Sequence, residues 1–280
     1  MTVSRRRLLG SGLAAFAGLL GARAIALGAP ATARAAAPGG AGTGVAPADA
    51  APAGYVPSDH RWGMVVDTVS CIGCGRCVEA CKLENHVPMD PEYNRTWVEL
   101  HVIAQDGSVI VASPDGGIDG YSAEAVAALG LSESIRQAYF VPRLCMQCDN
   151  SPCTSICPVG ATFRTEDGVV LVDDERCIGC GFCVVACPYG ARYIVPAGGE
   201  MPNGYPGVAD KCTFCYHRTT RGLLPACAEV CPVEARIFGD LKDESSPVSA
   251  VLRDRRTQVM KPEAGTKPRV YYLGLEAEVG

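Results

Sequence analysis

The segment CIGCGFCVVACP, residues 177–188, contains four cysteines within eleven residues and ends on a Cys-Pro pair. Its first three cysteines recur at every third position, and a glycine lies in each of the two intervals between them. Glycine adopts positive φ without a steric cost, so such a segment can turn tightly and bring its backbone N–H groups close to sulfur. The cysteines are Cys177, Cys180, Cys183 and Cys187. The spacing predicts a tight loop that directs several thiols towards one centre.

Three further groups resemble this segment, and together the four groups contain all sixteen cysteines of the 280-residue chain. Every group begins C-x2-C and ends C-x3-C, but the middle interval widens to C-x4-C in group two and to eleven residues in group four. The other groups are Cys71, Cys74, Cys77 and Cys81; Cys145, Cys148, Cys153 and Cys157; and Cys212, Cys215, Cys227 and Cys231. An internal repeat of this kind predicts a repeated structural unit.

Three kinds of chemistry account for a high cysteine count. Disulfides suit an exported protein with an even number of thiols, but C-x2-C neighbours are poorly placed to bond to each other. Zinc suits isolated C-x2-C pairs, but it does not explain three successive thiolates in C-x2-C-x2-C. The series C-x2-C-x2-C-x3-C-P is the ligand pattern of two-cluster iron-sulfur proteins, in which the last cysteine binds the neighbouring cluster. The pattern therefore favours pairs of [4Fe-4S] clusters, with zinc and disulfides as the alternatives.

Charge and motif content exclude several other functions. The chain has 25 basic and 30 acidic side chains, and no basic run follows the first few residues, so nucleic acid is not expected as a partner. The sequence contains no phosphate loop, nucleophile elbow or acid-base pair. We therefore expect no independent catalysis. The histidines, His60, His86, His101 and His217, follow no ligand spacing and are expected in surface or structural roles.

The N-terminus has the pattern of an export signal. Three arginines, beginning at Arg5, precede an apolar run, and Ala33-Arg34-Ala35 offers a cleavage site, so we expect a signal peptide over residues 1–35. The arginine motif resembles the twin-arginine signal, whose pathway exports folded proteins. A membrane anchor is the alternative, but the uncharged apolar run is shorter than a typical span. An Ala/Pro/Gly linker follows over residues 36–58, and no later segment is apolar enough to cross a membrane.

The remaining sequence predicts an α+β fold of short elements. WVELHVIAQDGSVIVAS predicts a hairpin turned at Asp106-Gly107, and SAEAVAALGLSESIRQA predicts a helix with Ser122 as N-cap. VVLVDD and RYIV predict short strands, and each cysteine group predicts a short helix. The expected divisions are a first motif over residues 59–97, an insertion over 98–140, a central module over 141–200, a fourth motif over 201–240 and a C-terminal arm over 241–280. We expect this arm to lie on a partner or on the main body.

The four motifs in this order, with the widened intervals of groups two and four, resemble the four-cluster ferredoxin-type subunits of respiratory molybdopterin oxidoreductases. This family serves dimethyl sulfoxide, polysulfide, thiosulfate and tetrathionate reductases, and DKCTFCYHRTTRGLLPAC with the C-terminal tail is most similar to the tetrathionate reductase subunits. The resemblance covers residues 62–240. It implies two interleaved ferredoxin-like dicluster units and four [4Fe-4S] clusters. Nitrate reductase relatives have tryptophan where this chain has Cys180, so no three-iron cluster is expected.

The resemblance also implies which cysteines share a cluster, because groups one and four, and groups two and three, are paired in the family. The implied sets are Cys71, Cys74, Cys77 and Cys231 for cluster 1; Cys145, Cys148, Cys153 and Cys187 for cluster 2; Cys177, Cys180, Cys183 and Cys157 for cluster 3; and Cys212, Cys215, Cys227 and Cys81 for cluster 4. One departure is Lys82, which replaces the proline that follows the last cysteine of the other groups, so the helix after Cys81 is expected to continue.

The implied role is electron transfer between a membrane quinone-binding subunit and a periplasmic molybdopterin-type catalytic subunit. The alternatives are a freestanding periplasmic carrier, a subunit of a hydrogenase or of another quinone-linked sulfur-oxidising or sulfur-reducing complex, and a disulfide-stapled binding protein. Two further expectations concern individual side chains. Arg76, Arg192 and Lys211 are expected to be solvated surface charges. Trp62, Trp97 and Phe182 are expected to pack in the core.

Overall fold

A computed structural model describes residues 51–128, 135–196 and 206–275 of the chain. The expected signal peptide, residues 1–35, and most of the expected linker lie outside the described residues. Within the described ranges, no helix is both long enough and apolar enough to span a lipid bilayer.

The described chain is built from short strands and short helices, which confirms the α+β class. The strands are β1 (Trp62–Asp67), β2 (Thr96–Ala104), β3 (Val109–Ala112), β4 (Ile135–Leu144), β5 (Thr162–Arg164), β6 (Val170–Val172), β7 (Tyr193–Ile194), β8 (Ala209–Asp210), β9 (Arg236–Asp240) and β10 (Val270–Leu273). The α-helices are α1 (Arg76–Glu84), α2 (Ala123–Ala128), α3 (Pro152–Ser155), α4 (Phe182–Val185), α5 (Tyr216–Thr219), α6 (Ala226–Glu229) and α7 (Pro247–Asp254). Single 3₁₀ turns lie at Pro57–Asp59, Pro114–Gly117 and Pro262–Ala264.

One three-stranded sheet joins the beginning, the fourth motif and the C-terminal segment of the described chain. Its order is β10-β1-β9, with β10 parallel and β9 antiparallel to β1. Met64 and Val66 of β1 and Tyr272 of β10 are fully buried in the main core. The segment after residue 240 therefore packs on the main body, where it forms α7 and β10.

The insertion forms a second sheet with the order β3-β2-β4. The predicted hairpin is confirmed, because β2 and β3 are antiparallel and Asp106-Gly107 lies in the turn between them. The predicted helix is wrong in its last four residues, 135–138. Its described part ends at Ala128, and Ile135 and the three residues after it belong to β4, which pairs with the other edge of β2. Pairing satisfies the backbone groups of that edge and overrides the local helical preference.

The helices of the cysteine groups pack in two pairs: α1 contacts α6, and α3 contacts α4. Consequently the helix of group one lies against the second helix of group four, and the helix of group two lies against that of group three. Helix α1 is longer than the other three because Lys82 replaces proline, and it continues to Glu84 as expected. Proline would remove a backbone donor and obstruct the preceding turn.

Lys82 also has a structural role of its own. Its side chain is buried, and Nζ donates to the carbonyl oxygens of Pro88 at 2.8 Å, Asp90 at 2.9 Å and Tyr93 at 2.7 Å. These three bonds hold the loop after α1 against the helix. A single cation thus organises the connection between α1 and β2.

Replacing Lys82 with methionine is expected to lower the stability of the folded protein by about 3 kcal/mol, because three carbonyl oxygens lose a charged donor. The measurement is thermal unfolding of the protein by circular dichroism. Arg76→Met is the matched control, since Arg76 lies in the same helix but is exposed. Equal unfolding temperatures for the two variants would contradict the assigned role of Lys82.

Candidate metal centres

The first candidate centre, site 1, joins the loop of group one to the end of group four. Its cysteines line one cavity of about 340 Å³, counting the space open to solvent. They are Cys71, Cys74, Cys77 and Cys231. Gly75 permits this loop because its φ is +74° and a Cβ atom there would lie 2.1 Å from the carbonyl oxygen of Ile118. Only glycine fits at that position without moving the backbone.

The second cavity, site 4, joins the loop of group four to the helix of group one. It measures about 280 Å³, again counting open space, and its four cysteines are all buried. They are Cys81, Cys212, Cys215 and Cys227. Asn85 Nδ2 donates to the sulfurs of Cys81 at 3.6 Å and Cys215 at 3.7 Å. Site 4 is therefore an enclosed set of thiols with a polar donor at its edge.

The third set implied by the family resemblance, site 2, is Cys145, Cys148, Cys153 and Cys187. Burial, together with the charges of the other three cysteines, raises the pKa of the Cys148 thiol to about 12. Cys145 and Cys153 also act on Cys187 and contribute to its raised pKa, after the larger effect of burial. The four thiols are therefore close enough to influence one another electrostatically.

The last set implied by the family resemblance, site 3, is Cys157, Cys177, Cys180 and Cys183. Burial raises the pKa of Cys183, Arg192 opposes this shift, and the charges of Cys153 in site 2 and of Cys177 add to it. The contact of α3 with α4 brings the segment of Cys157 beside the helix of Cys183. Burial alone would raise the pKa of Cys157, but backbone N–H donors of residues 159–162 lower it below the ordinary value. The turn after this Cys-Pro pair is thus prepared to hold an anionic sulfur.

The residue before the second cysteine has a left-handed backbone in all four groups. The φ values are +65° at Gly73, +47° at Gln147, +65° at Gly179 and +57° at Phe214. Two of these residues are not glycine, so glycine content alone identifies the turn in only half of the groups. The common conformation shows that groups two and four form the same C-x2-C loop despite their widened middle intervals.

Two buried cations correct the expectation of solvated charges. Arg192 is only 5% exposed, and Lys211 is fully buried and donates to the carbonyl oxygen of Cys212 at 2.8 Å. Only Arg76 is exposed as expected. Both burials follow from local position, because Arg192 comes directly before β7 and Lys211 lies directly between β8 and the first ligand of group four.

Sequence reasoning did not single out a third buried cation, Arg236. Its Nη2 lies 3.4 Å from Cys77 Sγ and its Nη1 lies 3.7 Å from Cys227 Sγ. Burial alone would lower its pKa, but these two thiols raise it above the ordinary value. The sequence feature that could have identified Arg236 is the repeated Ala-Arg pair, which follows the Cys-Pro pair at the same distance in groups three and four.

The expectation for the aromatic residues is confirmed for two and wrong for one, and no histidine contradicts its expected surface or structural role. Trp62 and Trp97 are partly buried and pack against the core, but Phe182 is 54% exposed and the expectation that it packs in the core is wrong. Phe182 begins α4, whose length of four residues leaves its first side chain uncovered. Three histidines contact carboxylates: His60 with Asp240, His101 with Glu99 and His217 with Glu84.

The donors in the four sites fit [4Fe-4S] clusters. All sixteen cysteines are free thiols, and backbone N–H groups donate to sulfur, as at Ala235 to Cys231 at 3.2 Å. Nε and Nη2 of buried Arg192 make no hydrogen bond to nitrogen or oxygen, as expected of donors beside an anionic group. Burial, followed by neighbouring Cys145 and Cys215, raises the pKa of Cys212 to about 12, so this thiol loses its proton only when positive charge enters the site.

Two family models, both described as "4Fe-4S dicluster domain", match the chain over residues 70–161 and 136–241. The first range contains all eight cysteines of groups one and two. The second contains all twelve of groups two, three and four. The matched ranges together therefore include every cysteine of the four sites.

Several curated proteins are similar to the chain over most of its length. A tetrathionate reductase subunit of Salmonella typhimurium is 42% identical over 219 residues, which are 78% of this chain and 74% of the relative. A putative dimethyl sulfoxide reductase iron-sulfur subunit of Halobacterium salinarum is 38% identical, with 79% of this chain and 81% of the relative covered. A polysulfide reductase chain of Wolinella succinogenes is 34% identical, with 76% of this chain and 94% of the relative covered.

Proposed function

Because this protein belongs to the family of ferredoxin-type iron-sulfur subunits of respiratory molybdopterin oxidoreductases, we propose that sites 1 to 4 each bind one [4Fe-4S] cluster and that the chain relays single electrons between partner subunits. It is an electron-transfer subunit and does not catalyse a reaction alone. The four cysteines of each site are the proposed ligands. The shared cavities of sites 1 and 4 and the mutual influence of the thiols in site 2 support this grouping.

The proposed order of the clusters is site 1, site 4, site 2, site 3. Arg236 contacts a cysteine of site 1 and a cysteine of site 4, which supports the first step. Gln147, in the loop of site 2, donates to the carbonyl oxygen of Cys212 in site 4 at 2.7 Å, which supports the second. The charges of Cys145, Cys153 and Cys183 all act on Arg192, which supports the third, between sites 2 and 3.

Exposure of the cysteines is the observation on which the relay proposal depends. Of the sixteen cysteines, only Cys74 in site 1 and Cys180 in site 3 are exposed. These two sites are the ends of the proposed row, whereas the cysteines of site 4 are all buried. A row of clusters whose two end sites reach the surface and whose interior site is buried accepts electrons at one surface and releases them at another.

When bound, each [4Fe-4S] cluster accepts and releases one electron at a potential set by its surroundings. The chain itself holds the ligands, excludes water and donates hydrogen bonds to sulfur. The donors include the backbone N–H groups of Ala209 to Cys177 at 3.4 Å and of Phe214 to Cys212 at 3.4 Å. Such bonds stabilise the more negative, reduced form of a cluster and therefore raise its potential.

The proposed partners are a molybdopterin-type catalytic subunit and an integral membrane subunit that binds quinone. The relatives support this proposal, because they are subunits of tetrathionate, dimethyl sulfoxide and polysulfide reductases. We further propose that residues 1–35 direct export of the folded subunit to the periplasm by the twin-arginine pathway. The alternatives are a freestanding periplasmic carrier and a subunit of a hydrogenase or another quinone-linked complex.

The test is anaerobic purification of the tagged chain from its native membranes, with identification of co-purified subunits and determination of iron. We expect about sixteen iron atoms per chain, four for each cluster, together with one catalytic and one membrane subunit. Recovery of a fully loaded chain alone from the soluble periplasm would support the freestanding carrier. Absence of iron and of broad visible absorbance would reject the cluster proposal.

A further inference from the structure

Two six-residue segments of the chain correspond to each other and place an arginine at the same distance from a ligand. They are CPYGAR, residues 187–192, and CPVEAR, residues 231–236. In both, the residue before Ala-Arg has a positive φ, +63° at Gly190 and +51° at Glu234. The shared turn leads the chain from the last cysteine into a strand, so the two arginines occupy equivalent positions in the repeat.

Arg236 lies between sites 1 and 4. The residue is 3% exposed, and its two terminal nitrogens lie 3.4 Å from Cys77 Sγ and 3.7 Å from Cys227 Sγ. Nη2 also donates to Thr96 Oγ1 at 2.8 Å, which fixes the orientation of the guanidinium. Among the described residues, no carboxylate lies within ion-pair distance of Arg236. Its charge is therefore directed mainly at the sulfurs of two different sites.

Arg192 has the same relation to sites 2 and 3. Its neighbouring charges are those of Cys145 and Cys153 in site 2 and of Cys183 in site 3. Nη1 donates to Thr162 Oγ1 at 3.3 Å, as Arg236 does to Thr96, and no carboxylate of the described residues forms an ion pair with Arg192. The two pairs of sites thus repeat one arrangement. In each, a buried arginine that is hydrogen-bonded to a threonine lies between two thiol sets.

We propose that Arg192 and Arg236 are shared electrostatic residues, each of which raises the reduction potentials of the two clusters on either side of it. This inference rests on the proposed function, since it requires clusters in all four sites. A cluster gains negative charge when it is reduced, and a nearby buried cation stabilises that state with little screening by solvent. Without a carboxylate partner, the arginine exerts its full charge on the clusters.

The experiment is a potentiometric titration of the intact complex, followed by electron paramagnetic resonance, for the wild type and for Arg192→Gln and Arg236→Gln. Each variant is expected to lower the potentials of two clusters and leave the other two unchanged, and the two affected pairs are expected not to overlap. The charge-conserving variants R192K and R236K are expected to shift the same potentials less. Arg76→Gln is the matched control, because Arg76 directly precedes the ligand Cys77 but is exposed.

Unchanged potentials in both glutamine variants would overturn the proposal, as would a uniform shift of all four clusters. Loss of iron from a glutamine variant would also overturn it, because the arginine would then serve cluster assembly and not potential. Iron content of each variant is therefore measured beside the titration. Fewer than four clusters in the wild type would contradict the proposed function instead, so the two failures are distinguishable.

Discussion

Replacing Cys227 with alanine is expected to reduce electron transfer through the purified complex to the background of the assay. Cys227 is a buried member of site 4, which lies inside the proposed row between sites 1 and 2. Loss of its thiolate leaves three ligands for a cluster that needs four. An interruption in the middle of a row has no parallel path around it. The measurements are iron content and quinol oxidation coupled to the catalytic partner.

Thr213→Val is the matched control for this variant. Thr213 lines the same cavity and is buried, but its Oγ1 has no hydrogen-bond partner among the described residues, and it is not a proposed ligand. We expect this variant to retain its iron and its electron transfer. Full iron content or wild-type electron transfer in the Cys227→Ala variant would show that Cys227 is not a ligand within the row.

Replacing Gly75 with alanine is expected to destabilise the loop of site 1 enough to abolish the binding of its cluster. Two costs add at this position. A positive φ of +74° costs a non-glycine residue roughly 1–2 kcal/mol. The new Cβ atom would also lie 2.1 Å from the backbone oxygen of Ile118, which a rotamer change cannot relieve. The measurement is iron content after anaerobic purification.

A variant at Gly181, which is the equivalent residue of group three, separates these two costs. Its φ is also +74°, but no atom lies within 4 Å of the position that a Cβ would take. Gly181→Ala therefore has only the backbone cost and is expected to retain the cluster of site 3 with a lower unfolding temperature. Similar iron losses in both variants would mean that positive φ alone, and not contact with Ile118, decides whether the loop forms.

Much of the fold follows from local sequence because the cysteine groups fix their own loops. Spacing and the Cys-Pro pairs predict the short helices, and Asp106-Gly107 predicts the hairpin. The end of the helix predicted after Ser122 was wrong because residues 135–138 gain more from pairing with the free edge of β2. The tail was not predicted to form β10, since parallel pairing with β1 depends on a contact between residues about 200 positions apart in sequence.

The ligands of the candidate sites were more predictable from the sequence than the residues that surround them. Thiol spacing indicates the ligands directly, because cluster chemistry demands it. Burial of Arg192 and Lys211 was not predicted, since the usual place of a charged side chain is the surface. Only the structure shows what replaces the solvent, which is a set of neighbouring thiols at Arg192 and the carbonyl oxygens of Val170 and Cys212 at Lys211. Likewise, Phe214 has a positive φ that no rule for aromatic residues predicts, and packing against Phe238 at 5.3 Å between ring centroids accompanies it.

The pairing of α1 with α6 and of α3 with α4 also sets the order in which the ribosome completes the four ligand sets. The cysteines of sites 2 and 3 all lie between residues 145 and 187, so the ribosome completes both sets before group four exists. Site 1 must wait for Cys231, 160 positions after Cys71. In the proposed grouping, the ligands of sites 2 and 3 are consequently complete before those of sites 4 and 1. The thiols of group one are synthesised first and wait longest for their partners, so we expect them to depend most on protection from oxidation during synthesis.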